Sequence, residues 1–166
     1  MPRILLPTAM LAAALTATPA LAQANLQIDY PAFQALTTSV APQRADRLLA
    51  FDRFKAEAAK PGALLLDARS ADAFARGHIK GAVNLPLTDF TAESLAAVIG
   101  PDTNRPILIY CNNNFSNNQS PVPVKAAALA LNIQTFINLV GYGYPNVAEL
   151  ADVVDLRDPK VEWVTG

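Results

Sequence analysis

The sequence predicts an α/β fold, with a central parallel sheet of about five strands and helices on both faces. Three observations carry this. Apolar runs bounded by turn residues alternate with segments bearing helix caps along most of the chain, the order that joins parallel strands by right-handed crossovers. Two of the runs, Ala63 to Leu66 and Pro106 to Tyr110, are continuously apolar, as strands buried on both faces are. A chain of 166 residues, 52% hydrophobic and 16% charged, is long and apolar enough for one packed domain and is not a disordered segment.

The elements follow in order. Residues 1–22 read as a cleaved export signal. Arg3 supplies the positive charge, Ile4 to Ala17 the apolar stretch, and Ala20-Leu21-Ala22 the cleavage site. Pro7 and Pro19 interrupt the apolar stretch, which falls short of the roughly 20 residues that a membrane span needs. The mature protein is therefore expected in the periplasm or secreted, with no stable membrane insertion. Residues 23–45 carry prolines and a Thr-Thr-Ser run and read as an extended arm. Arg47 to Phe51 is expected as a strand, with Asp52 capping a helix from Arg53 to Ala59.

Pro61-Gly62 turns the chain into the strand Ala63 to Leu66. Ser70 caps a helix from Ala71 to Arg76 that Gly77 closes. Ala82 to Leu85 is a brief strand, and Thr91 opens a helix from Ala92 to Ile99. Pro106 to Tyr110 is the next strand. Pro121 to Leu131 reads as a helix with its prolines in the first turn, where a missing N–H costs little. Gln134 to Leu139 reads as a strand, Asn146 to Ala151 as a last helix, and residues 152–166 as a tail that packs as a lid or edge.

Composition narrows the chemistry. Thirteen Lys and Arg against fourteen Asp and Glu leave no basic stripe for nucleic acid. One Cys and one His exclude an internal disulfide and a Cys/His-rich zinc site. No metal or organic cofactor is called for.

Cys111 ends a predicted buried strand, where open α/β sheets place their sites. A loop feeding a helix N-terminus aims backbone N–H groups at one point and adds positive potential. A thiol held there is expected to have a depressed pKa, and the same groups can hold an anion beside it. A buried structural Cys is the competing reading. The loop, Asn112 to Ser120, is polar and uncharged apart from Phe115. Asn tolerates left-handed backbone and can stand in for Gly in a curled loop. The candidate binding residues are Asn112, Asn113, Asn114, Phe115, Ser116 and Asn117, around Cys111 as the reactive group.

These residues resemble the rhodanese-like (sulfurtransferase) family. Leu64-Leu-Leu-Asp67-Ala-Arg69-Ser70, Phe74, and Gly77-His78-Ile79-Lys80-Gly81-Ala82-Val83-Asn84-Leu85-Pro86 are similar to its most recognisable stretch. Ile107 to Cys111 resembles the strand that delivers its active-site cysteine, and Leu139 to Tyr144 its later Gly-Gly-aromatic turn, with Tyr142 at the second Gly. The resemblance covers residues 46–151. It implies the rhodanese α/β fold and a Cys111 thiolate that accepts sulfane sulfur as a persulfide and passes it on. The implied partners are a small sulfur-containing anion or thiol, or a protein acceptor of sulfur.

The loop departs from the family pattern. The family closes its cysteine loop in a short turn, often with Gly and a cation. Here nine residues separate Cys111 from Pro121, and the nearest cation beyond the loop is Lys125. The related phosphatases place an Arg where this chain has Asn117, so phosphatase chemistry is disfavoured. In the family the His78 segment shapes the fold, and Asp67 and Arg69 are expected to hydrogen-bond the strand end and the turn beyond it. Two other functions stay open: a non-catalytic rhodanese-like binding module that uses the enlarged loop, and a thiol redox sensor.

Overall fold

A computed structural model describes residues 27–166. The expected export signal, residues 1–22, and the first residues of the expected arm lie outside the described part. Among the described residues no helix is long and apolar enough to cross a membrane.

The chain runs α1 (Tyr30–Ala45), β1 (Leu48–Leu49), α2 (Phe51–Ala58), β2 (Leu64–Asp67), α3 (Ala71–Arg76), β3 (His78–Ile79), β4 (Val83–Asn84), α4 (Ala92–Ile99), β5 (Ile107–Tyr110), α5 (Leu131–Gly141), β6 (Val147–Leu150) and β7 (Trp163–Val164). The main sheet has the order β1-β6-β5-β2-β4, and all its pairings are parallel. β5 lies at its centre, with Leu66 of β2 opposite Ile109 and Glu149 of β6 on the other side. A second, two-stranded sheet pairs β3 with β7 antiparallel.

Every residue of β2, β5 and β6 is buried, so alternate side chains feed two cores. Leu64, Leu66, Ile107, Ile109 and Val147 pack with Leu95 and Ile99 of α4, Phe136 and Leu139 of α5, and Val40 of α1. On the other face Leu65, Leu108, Tyr110, Ala148 and Leu150 meet Phe51 and Phe54 of α2 together with Phe115, Val122 and Val161.

Several elements form where the sequence places them. Ser70 caps α3 by accepting the Ala73 N–H. Thr91 and Ser94 form a reciprocal capping box at the start of α4. At α2 the cap shifts: Ala50 is the N-cap, and Asp52 sits in the first turn, where its charge still suits the helix dipole.

Four expectations are corrected. Residues 30–45 form α1 rather than an extended arm: Asp29 caps it by accepting the Ala32 N–H, and Pro31 occupies its first turn, where proline is pre-organised. Residues 121–130 are not a helix; they are irregular, with a single short 3-10 turn at Ala127–Leu129. Pro123 disfavours the α conformation at Val122, the residue before it, which interrupts a helix begun at Pro121. Residues 134–139 are helix, not strand. Asn132, Thr135, Phe136 and Leu139 are buried, at the spacing of one helical face. Residues 147–150 are strand, not helix, despite the charge of Glu149. The tail is an edge: Val154 bridges to Phe115, and β7 completes the small sheet.

Candidate functional site

Cys111 follows β5 directly, and Ile107, Ile109 and Cys111 alternate onto the sheet face that α1 and α5 cover. Asn112–Asn114 then form a 3-10 turn. The Asn114 N–H donates to the Cys111 carbonyl at 3.1 Å, while the Cys111 N–H donates to Asn114 Oδ1 at 2.9 Å. The N–H groups of Asn113, Leu131 and Asn132 act on the thiol. Leu131 and Asn132 open α5. The thiol therefore lies at a helix N-terminus, as expected, but the helix is α5, reached after the whole of residues 112–130.

The expected depressed thiol pKa is not found. Cys111 is 1% exposed. Burial pushes its pKa up, the Asn132, Asn113 and Leu131 N–H groups pull it down, and the Glu149 carboxylate pushes it up again. Desolvation prevails, so the thiol is held above its ordinary value.

A polar chain lies beneath the thiol. Asn114 Oδ1 accepts from Asn132 Nδ2 at 2.9 Å, and its Nδ2 donates to the Leu150 and Asp152 carbonyls. Asn132 Nδ2 also reaches Glu149 Oε1 at 3.3 Å. Arg44 of α1 closes the chain with two bonds to Glu149, Nε to Oε2 and Nη2 to Oε1, each 2.7 Å.

The candidate loop residues are used unevenly. Asn112 lines the cleft described below, and its buried Oδ1 has no hydrogen-bond partner. Asn113 clasps the Lys125 backbone with both ends of its amide, at 2.8 and 3.0 Å. Asn114, Phe115, Ser116 and Asn117 are not brought to the cleft. Phe115 packs edge-on against Tyr110 and Trp163. The Ser116 N–H donates to the Val154 carbonyl. Asn117 bonds the Asp155 carboxylate and the Leu156 N–H. An amide both donates and accepts, so each Asn ties two strands of irregular chain together. The Asn-rich composition thus closes the loop on itself and on the tail.

The cleft, about 490 Å³, opens at the carboxyl ends of β2 and β5 beside Asn112 and Leu131. Pro86, Leu87, Pro121, Pro123 and Leu129 form apolar walls; Lys125 supplies a cation, and Arg76 also lines the cleft but is ion-paired with Asp72. Lys125 stands in irregular chain rather than inside a helix, and Arg76 was not foreseen. Sequence spacing gave no sign that α3 would face the loop; the Ser70 cap that fixes the start of α3 was the available signal. A smaller cavity of about 280 Å³ lies at the opposite ends of β5 and β6, lined by Asp46, Arg47, Pro106 and Asn146, away from the thiol.

Asp67 and Arg69 behave as expected. Arg69 bonds both carboxylate oxygens of Asp67, with the shortest contact 2.6 Å, and donates to the Gly77 and Pro121 carbonyls. Tyr110 Oη donates to Asp67 Oδ2 at 2.7 Å and accepts from the Ile79 N–H at 3.1 Å. This buried cluster fixes the cleft wall at Pro121. His78 stacks on Phe74 with ring centroids 3.8 Å apart, and its Nδ1 lies 2.9 Å from the Phe74 carbonyl, a structural placement. Among the described residues no cluster of His, Cys, Asp and Glu could hold a metal ion.

A five-stranded parallel sheet flanked by helices, with a cysteine at the end of its central strand, defines an α/β domain with a candidate site at the carboxyl edge of the sheet. The family model of the rhodanese-like domain matches residues 50–152, and the chain belongs to that family. Its solved likenesses are distant. The Alr3790 protein of Anabaena sp. is 18% identical, with a TM-score of 0.43, over 61% of this chain and 77% of that one. The BH2092 protein of Bacillus halodurans is 15% identical, with a TM-score of 0.45, over 72% and 77%. Wild-type EanB is 23% identical, with a TM-score of 0.44, over 62% of this chain and 23% of that one. No curated protein matches the chain.

Proposed function

We propose that the protein is an exported sulfurtransferase that carries sulfane sulfur on Cys111. The observation that carries this reading is the convergence of three backbone N–H groups, from Asn113, Leu131 and Asn132, on the one sulfur at the end of β5. Such groups stabilise a thiolate, and equally the terminal anion of a persulfide. The Cys111 thiolate attacks the outer sulfur of thiosulfate, and sulfite leaves with the electron pair of the broken S–S bond. An acceptor thiolate or cyanide then attacks the terminal sulfur of Cys–S–S⁻ and restores the Cys111 thiolate. Lys125 at the cleft offers the donor a positive charge, with Asn112 beside it. The export signal read in residues 1–22 places this chemistry in the periplasm or outside the cell.

The test is thiocyanate formation from thiosulfate and cyanide. Wild type should turn over, and Cys111→Ser should not while keeping its fold; equal turnover by the two proteins overturns the reading. The burial of Cys111, at 1% exposure, favours a second reading, a binding module whose ligand occupies the cleft without touching sulfur. In that case Cys111→Ser retains ligand binding and wild type forms no thiocyanate.

A further inference from the structure

The Glu149 carboxylate is 5% exposed in the middle of the core. It belongs to β6, whose register sets it opposite Ile109 of β5, two residues before Cys111. Strand alternation turns it to the face that α1 and α5 cover. A buried carboxylate costs free energy unless it is paired and hydrogen-bonded. Its partner is Arg44, 29% exposed at the side chain, whose fork engages both oxygens at 2.7 Å. Arg44 belongs to α1, which lies outside the family-matched residues 50–152.

The pair is wired to the thiol loop. Asn132 Nδ2 is shared between Glu149 Oε1 and Asn114 Oδ1, and Asn114 Oδ1 holds the Cys111 N–H. The other groups packed around the thiol, Asn113, Asn114 and Asn132, are uncharged. Asp152, just beyond β6, spends its carboxylate on the Phe51 N–H at 2.8 Å. Glu149 is thus the anion acting on Cys111, and Arg44 is the cation that offsets it.

We propose that Arg44 is a positioning residue for the thiol: from α1 it neutralises Glu149, so that Cys111 can ionise beside a buried carboxylate. The role of α1 is then to complete the site, and losing its contact leaves an uncompensated negative charge under the sulfur. This deepens the sulfurtransfer reading and rests on it for its purpose, but it is tested without that chemistry.

The experiment is the pH profile of Cys111 alkylation by iodoacetamide, followed by intact mass on the full chain. Arg44→Gln should move the profile to higher pH and slow alkylation roughly tenfold near neutral pH, as one unit of upward shift does. Arg44→Lys should recover most of the wild-type rate. Glu149→Gln should move the profile to lower pH. The double variant, which removes both charges, should lie above Glu149→Gln and near wild type, because Arg44 offsets Glu149. An unchanged profile in Arg44→Gln overturns the proposal. If Arg44→Gln fails to fold, the double variant decides: a profile equal to that of Glu149→Gln contradicts it. Loss of thiocyanate formation in wild type with these shifts intact would count against sulfur transfer alone.

Discussion

The side chain of Asn132 donates to Asn114 Oδ1 at 2.9 Å while its backbone N–H faces the Cys111 thiol. One residue at the start of α5 thereby locks the cysteine loop and supplies part of its anion cradle. Asn114 satisfies four groups at once: the Cys111 N–H, the Asn132 amide and the carbonyls of Leu150 and Asp152. Asn114→Ala strands them in a dry setting. It should cost about 2–4 kcal/mol, read as a lower urea midpoint. A loss below about 0.5 kcal/mol, the usual range for a surface substitution, would show that the loop is not held this way.

Lys125 is exposed on the cleft rim, and its backbone rather than its side chain holds the loop through Asn113. Lys125→Ala should leave stability within about 0.5 kcal/mol of wild type. In the sulfurtransfer assay it should raise KM for thiosulfate several-fold with little change in kcat, as the loss of a purely binding interaction does. An unchanged KM would remove the rim charge from donor capture.

Alkaline pH should destabilise the fold. Burial, and next the Asp67 carboxylate, hold the Tyr110 phenol well above its ordinary value of 10.0, and Cys111 is held above 9.0 in the same sense. Both groups ionise more easily in the unfolded chain. Their contribution is complete below those ordinary values and is lost as pH climbs from them toward the folded values. Urea midpoints should fall above about pH 9. Tyr110→Phe should lose about 1–2 kcal/mol near neutrality, where it leaves the Ile79 N–H unpaired. It should then decline less steeply than wild type at high pH. Parallel declines in the two proteins would contradict the assignment.

Gly77 faces the Trp163 indole so closely that a Cβ would lie 2.2 Å from its Nε1. This contact fixes the carboxyl-terminal β7 against the end of α3. Gly77→Ala should destabilise by about 1–3 kcal/mol through overpacking, and pairing it with Trp163→Phe should recover part of that loss. No recovery would mean that the backbone at Gly77, with φ of 156°, sets the cost instead.

The signals that were legible in the sequence are local ones. Ser70 and Thr91 cap helices through their own side chains, and the unbroken apolar runs of β2 and β5 admit burial on both faces. Apart from α1, expected as an extended arm, the misreadings fall between Pro121 and Leu150, where tertiary contacts overrule local pattern. The β-branched Thr135 and Ile137 suggest a strand, yet the burial of Asn132, Thr135, Phe136 and Leu139 follows a helix. Glu149 looks like a surface residue until Arg44, 105 positions away, is seen to pair with it. The two errors offset one another in the strand count: the fifth strand is β6 rather than residues 134–139. The site was legible to the same extent. Cys111 and a helix N-terminus were expected together, but the helix is α5, and the Asn side chains mostly close the loop instead of lining the cleft.

The most direct measurement is the intact mass of the protein before and after thiosulfate, with Cys111→Ser alongside. Sulfur transfer through Cys111 predicts a gain of one sulfur atom that a reductant removes and that the variant never shows. An unchanged mass with both thiosulfate and a persulfide donor, under conditions where iodoacetamide alkylates the same thiol, would contradict it.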